Sequence, residues 1–216
     1  MKRRLILGFG VCLFWCAGLA YAGASIFNPQ LLGAYQHYQE TLSSQRDGLL
    51  FESGKTANNC LEYLRQKKIS GIAETVNNRI VSQEYLVCDS VVLLKQSATR
   101  SAARNETNSY GKELWERLDL RAFPSSLRQL VDDNHFVLSK LKNIPVTIDR
   151  YSVTSETDDW LFKIEVVAEF DRGANGTSDW LLWLTDAAKK GNYRSYNVLI
   201  VGNPSRQKFL RAHIVP

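Results

Sequence analysis

The spacing of apolar residues changes once along this chain, and that change narrows the architectures open to it. Through the first half they recur three and four apart, as on one face of an α-helix; from Val146 onward they recur at every second position. The clearest stretch sets Trp160, Phe162, Ile164, Val166, Ala168 and Phe170 against Lys163, Glu165, Glu169 and Asp171. Such alternation predicts a long strand with one face on a core and one wetter face. Helices first and hairpin-connected strands afterwards specify an α+β domain, its N-terminal helices packed on one face of a C-terminal antiparallel sheet of four to five strands.

The helical half carries its own start signals. Asn28-Pro29 opens the first helix, Asn28 accepting a backbone N–H and Pro29 sitting where a missing donor costs nothing. Leu31, Tyr35, Tyr38 and Leu42 then form one core-facing stripe, with His37 off it and solvated. A second helix is expected over 56–68, with Ala57, Cys60, Leu61 and Leu64 on one face and Arg65, Gln66, Lys67 and Lys68 closing it, the cations favourable to the helix dipole. A third over 81–95 repeats the spacing at Val81, Tyr85, Cys88 and Val92. The Ser-, Thr- and Asn-rich run 97–109, with Arg100 and Arg104, reads as a loop, and short helices follow over 112–120 and 124–131. Strands are expected over 146–153, 160–170, 180–185, 195–201 and 208–215, with turns at 171–176 and 187–192. Over the last seventy or so residues this element order is similar in outline to cystatin-like and NTF2-like folds and to periplasmic domains of secretion-channel proteins; no residue role follows from it.

The N-terminus bears on location. Lys2-Arg3-Arg4, an apolar run from Leu5 to Leu19 and then Ala20-Tyr21-Ala22 form a signal peptide over 1–22, cleaved after Ala22. The alternative is a retained inner-membrane anchor, since Leu5 to Ala22 is near the shortest stretch that spans a bilayer. A lipoprotein signal at Cys16 is disfavoured by the bulky Trp15 before it. The remainder, 23–216, reads as a single domain with a helical part over 27–135 and a sheet part over 144–216, located in the periplasm or secreted. Cys12 and Cys16 leave with the leader, so Cys60 and Cys88 remain and are expected to pair across two helices. Closing that loop stabilises by roughly 3–4 kcal/mol on the chain-entropy model; the alternative is two buried free thiols.

Hydrophobic residues make up 44% and charged residues 23%, which argues against a wholly disordered or multi-pass chain. The formal charge of +5 includes Lys2, Arg3 and Arg4 of the leader, so the rest is nearly balanced, well short of the basic footprint that phosphate contacts require. No nucleic-acid partner is expected, and a membrane role only if the leader is retained. Metal-site spacing is absent, His37, His135 and His213 lie far apart, and no phosphate, dinucleotide or nucleophile motif occurs, so neither cofactor nor metal is expected. Asp132-Asp133-Asn134-His135, with Ser139 nearby, is where carboxylates and a histidine are neighbours; because adjacent residues do not face one another, it reads as a polar connection. The triplets Asn105-Glu106-Thr107 and Asn175-Gly176-Thr177 match the N-glycosylation pattern and read as turns.

What remains is a surface rich in interface-type residues. Trp160, Trp180, Trp183, Tyr193 and Tyr196 fall within one short stretch, and Trp180 and Trp183, three apart on a strand, must face opposite ways. One is core and the other needs a cover, which the helices are expected to supply. Lys189-Lys190, Arg194, Arg206, Lys208 and Arg211 place positive charge near the C-terminal hairpins and along one sheet edge. These residues suit a non-enzymatic envelope protein that binds another envelope or secreted protein through its sheet and loops, with Trp160, Trp180, Trp183, Tyr193, Tyr196, Arg194 and Arg211 as candidate binding residues. Such a protein could be a secretion or conjugation accessory or a toxin-inhibiting immunity protein. The alternative is a small-ligand binder or atypical enzyme with a pocket between helices and sheet, for which His213 on the last strand is a candidate.

Overall fold

The computed structural model describes residues 24–97, 109–173 and 177–215. Residues 1–22, read above as a leader, most of the 97–109 run and both glycosylation-type asparagines lie outside the described residues. Among those described, no helix is long and apolar enough to cross a membrane.

The fold is α+β. A short strand β1 (Ser25–Ile26) leads into α1 (Pro29–Gln36) and α2 (Tyr38–Ser43); a two-stranded ribbon of β2 (Leu49–Leu50) and β3 (Thr56–Ala57) precedes α3 (Cys60–Lys67), α4 (Val76–Val81) and α5 (Leu86–Gln96). Helix α6 (Tyr110–Arg117) begins an irregular stretch with short 3-10 turns. The strands β4 (Thr147–Ile148), β5 (Ser152–Glu156), β6 (Trp160–Phe170), β7 (Asp179–Ala188), β8 (Arg194–Val201) and β9 (Ala212–Ile214) then form an antiparallel meander in that spatial order. With β1 paired to β6 the sheet has seven strands, more than the four to five expected because the 146–153 region breaks into two and β1 joins from the N-terminus.

Local signals explain the helix ends. Asn28 accepts from Leu31 N at 3.1 Å with Pro29 at the first helical position, as its sequence predicts. The stripe from Leu31 to Leu42 is shared by two helices that break at His37. The second predicted helix starts later than expected: Thr56 and Ala57 are a strand, and Asn59 caps α3 by accepting from Glu62 N while Glu62 accepts from Asn58 N. That reciprocal arrangement satisfies two otherwise orphaned donors. Cys60 and Cys88 form a disulfide between α3 and α5 with Cα atoms 5.2 Å apart.

The expectation of one wetter face holds only for the first part of β6, where Phe162, Ile164 and Val166 are buried and Lys163 and Glu165 half-buried, and a β-bulge changes the pattern beyond it. The β6–β7 register shifts between Val166 and Ala168. Before it, Phe162, Ile164 and Val166 pack with α6; after it, Ala168 and Phe170 pack with the N-terminal helices. One inserted residue reverses side-chain parity, so a run that reads as one face is divided between two cores. The bulge carbonyl of Val167 accepts from Phe27 N and Asn28 N, at 2.8 and 3.2 Å, where β1 passes into α1. The sheet is therefore a middle layer: α1–α5 cover one face, and α6 with the 118–141 segment covers the other. Gly111 lets α6 approach, since a Cβ there would overlap the carbonyl oxygen of Asp149.

Candidate functional site

Sequence reasoning nominated seven binding residues, and the structure disperses most of them. Trp180 is 4% exposed, its ring 5.1 Å from that of Tyr110, so it belongs to the α6-side core. Trp183 faces the opposite layer, as strand parity requires, and its Nε1 donates to the Ser90 hydroxyl of α5 at 2.8 Å. Tyr196 lies on the helical face, and burial raises its phenol above the ordinary value. Arg194 opens β8 with its guanidinium donating to the Ala188 and Tyr193 carbonyls, so it clasps the β7–β8 turn. Arg211 precedes β9, whose Ala212 pairs with Val201 at the far end of β8, so the two arginines do not share one basic edge.

Two nominees do meet, at the end of the sheet where β6 begins and β7 ends. The rings of Trp160 and Tyr193 lie 5.1 Å apart, and Tyr193 is 40% exposed. Beneath them is Asp186, fully buried, whose carboxyl accepts from Trp160 Nε1 at 2.7 Å, Tyr193 Oη at 3.3 Å, Ser126 Oγ at 2.6 Å and Ser126 N at 2.5 Å. A buried carboxyl is tolerated when its oxygens are satisfied in this way. Burial, followed by the Asp186 charge, raises the Tyr193 phenol. Beside the pair is a hollow of about 200 Å³ lined by Leu127, Leu130, Ile144, Trp160 and Phe162, with Leu130 exposed at its rim.

Asp186 is the residue that sequence reasoning missed. Its signal was available, since it continues the parity of Trp180, Leu182 and Leu184 and places a carboxylate on an apolar face; β7 runs to Ala188, three residues beyond the predicted strand end. Glu169 was assigned to the wet face, yet the bulge turns it inward, where it accepts from Tyr110 Oη at 2.6 Å and from the Ser178 hydroxyl. Burial and that bond push the Tyr110 phenol up.

The remaining polar clusters are structural in form. Asp132 and His135 do touch, contrary to the sequence expectation, because the turn folds back: Asp132 Oδ1 accepts from Asn134 N and His135 N, and the His135 ring nitrogen Nδ1 lies 3.1 Å from both carboxyl oxygens. Those bonds, the ring's first, hold the Asp132 carboxyl below the usual range. Both groups are exposed, and no hydroxyl nucleophile is hydrogen-bonded to the ring among the described residues. Lys67, Asp89 and Tyr63 form a buried knot between α3 and α5, with Lys67 Nζ 3.0 Å from the carboxylate. Burial raises the Asp89 carboxyl, Lys67 opposing it, and the Tyr63 phenol is raised by burial and by Asp89. Among the described residues no group of three or more His, Cys, Asp or Glu could hold a metal ion, and His213, paired with Ile200 on the helical side of β9, is exposed and lines neither the hollow beside Trp160 nor the cleft on the helical face.

On the helical face a larger cleft, of about 460 Å³, opens between α1, α4 and the sheet; Trp183, Leu161, Lys163 and Glu165 contribute to it from β6 and β7. No protein family, curated protein or solved structure matches the chain, so this geometry stands on its own.

Proposed function

We propose that the chain is an exported, non-enzymatic protein of the bacterial envelope that binds another envelope or secreted protein through the open end of its sheet. One observation carries the reading: the Trp160–Tyr193 ring pair, seated on Asp186 and bordering the Leu127–Leu130 hollow. Tryptophan and tyrosine anchors beside an apolar pocket are the features that concentrate binding energy in protein interfaces. The proposal narrows the nominated surface to Trp160 and Tyr193 and adds Leu130, exposed beside them. Trp180 and most of the sheet are covered by the protein's own layers. Export rests on the leader of 1–22, placing the chain in the periplasm or outside the cell when it is cleaved after Ala22, and on the inner membrane if it is retained.

The test is site-specific photo-crosslinking in the envelope from Gln129, an exposed residue of the hollow. A discrete adduct with a different protein is expected, and Leu130→Asp or Tyr193→Ala should weaken that complex by roughly tenfold or more, as loss of an interface anchor does. Both substitutions are on exposed side chains, so the fold should persist. A monomeric protein that gives no adduct from Gln129 would overturn the reading.

A further inference from the structure

The cleft on the opposite face has a chemistry distinct from the aromatic end. We propose that it is a binding site for an uncharged saccharide. Of its eleven lining residues seven carry polar side chains and four are apolar. Its volume, about 460 Å³, falls in the range of small-molecule sites, roughly 300–1,000 Å³.

Trp183 gives the cleft a fixed apolar surface. Its N–H is spent on Ser90, whose own hydroxyl donates to the Leu86 carbonyl at 2.8 Å, so the indole is held from behind and what it offers the cleft is carbon. Facing chemistry comes from a preset chain of polar groups. Asn28, fixed by its capping bond to Leu31 N, donates to Glu165 Oε1 at 2.9 Å, and Lys163 donates to Glu165 Oε2 at 2.7 Å. Lys163 and Glu165 stand two apart on β6 and so share its cleft-facing side. Each keeps capacity in reserve: the ammonium has two further protons and each carboxylate oxygen another lone pair. Gln30 of α1 and Gln83 and Glu84 at the mouth add donors and acceptors.

This combination selects its ligand by elimination. An apolar molecule would desolvate the Lys163–Glu165 pair without replacing its water. An anion would meet the Glu84 carboxylate, and a cation would find Glu165 already paired with Lys163 at 2.7 Å and only the exposed, hydrated Glu84 to meet it. A ring with an apolar C–H face and hydroxyls around its rim meets both demands, placing carbon on Trp183 and hydroxyls on groups that both donate and accept. Such rings belong to sugars. The cleft lies on the other side of the sheet from the Leu127–Leu130 hollow, so this site and the protein-binding end stand or fall separately.

The experiment titrates the purified leaderless chain with cellobiose, maltose, diacetylchitobiose and an uncharged capped tripeptide, by calorimetry and saturation-transfer NMR. At least one saccharide is expected to bind with a Kd of roughly 1 mM or tighter, its ring protons saturating. Gln83→Trp, which plugs the mouth from an exposed position, and Glu165→Gln, which breaks the polar chain, should each weaken it by about tenfold or more, while Tyr193→Ala leaves it unchanged. Gln83→Trp touches no buried group, so it remains decisive if Glu165→Gln unfolds the protein. The proposal is overturned if no saccharide binds at roughly ten times that concentration, if binding is indifferent to Gln83→Trp, or if the peptide alone binds.

Discussion

The two layers that sandwich the sheet solve the same problem by different means. The layer of α1–α5 satisfies its backbone within helices and is fastened internally by the Cys60–Cys88 disulfide and the Lys67–Asp89 pair. The opposite layer has one regular helix of eight residues, then a segment of 3-10 turns that satisfies only part of its donors locally, as in the bonds from Arg128 N to Ser125 and from Lys140 N to Val137. It is fastened instead to carboxyls. Asp186 on β7 takes the backbone and side chain of Ser126, Glu169 on β6 takes Tyr110, and the Asp119 N–H reaches the Leu210 carbonyl at 2.9 Å, while the Asp119 carboxyl clasps Arg121 within the segment itself. A helix carries its partners with it, whereas an irregular layer borrows part of them from what it covers.

The strongest way to break this contrast is to remove the borrowed acceptor. Asp186→Ala leaves the Ser126 N–H and hydroxyl and the Trp160 N–H without their partner, each half-buried orphan costing roughly 1–3 kcal/mol, while the exposed Tyr193 hydroxyl turns to water, so the variant should lose on the order of 4 kcal/mol. Urea denaturation measures the loss, and hydrogen exchange should show 118–141 deprotected before α3 and α5. If the helical layer opens first, the division of labour between the layers is wrong. Cys60→Ala with Cys88→Ala is the mirror experiment. It should cost roughly 3 kcal/mol on the chain-entropy model, with exchange rising first in α3 and α5 and the 118–141 segment keeping its protection.

These differences also decide what could be read in advance. The helical layer announces itself: Asn28-Pro29 starts a helix where expected, and two cysteines on apolar helical faces prove close enough to bridge. The second layer is built from single anchors such as Leu118, Leu120, Phe123, Leu127 and Leu138, with no repeat for a period to detect. The bulge was hidden for a related reason. Val166-Val167-Ala168 is apolar at every position, so the alternation of β6 reads as unbroken while its parity has reversed. Glu169, Asp186 and the end of β7 were misplaced or passed over because a carboxylate in a strand reads as solvent-facing until its partners, 59 and 60 positions away in sequence, are in place.

Acid should sharpen the comparison by a smaller margin, because the two layers carry carboxyls displaced in opposite directions. Burial pushes Asp119 up, but its bonds to Arg121 N and to the guanidinium, at 2.9–3.0 Å, outweigh that and leave the carboxyl below the usual range. A depressed carboxyl stabilises the fold above its unfolded pKa of about 3.9, and that contribution drains away as pH falls through its folded value. Asp89 is raised by burial, so its folded form favours the proton; its contribution is full at low pH and declines as pH rises through the carboxylate range. Acidification therefore loosens the Asp119–Arg121 clasp without loosening the helical layer through Asp89. Scanning calorimetry from neutral pH down through the carboxylate range should show Asp119→Asn flattening the fall in Tm seen for the parent chain. The same scan of Asp89→Asn should keep the fall. If Asp89→Asn flattens the curve and Asp119→Asn does not, the acid-sensitive fastening belongs to the helices.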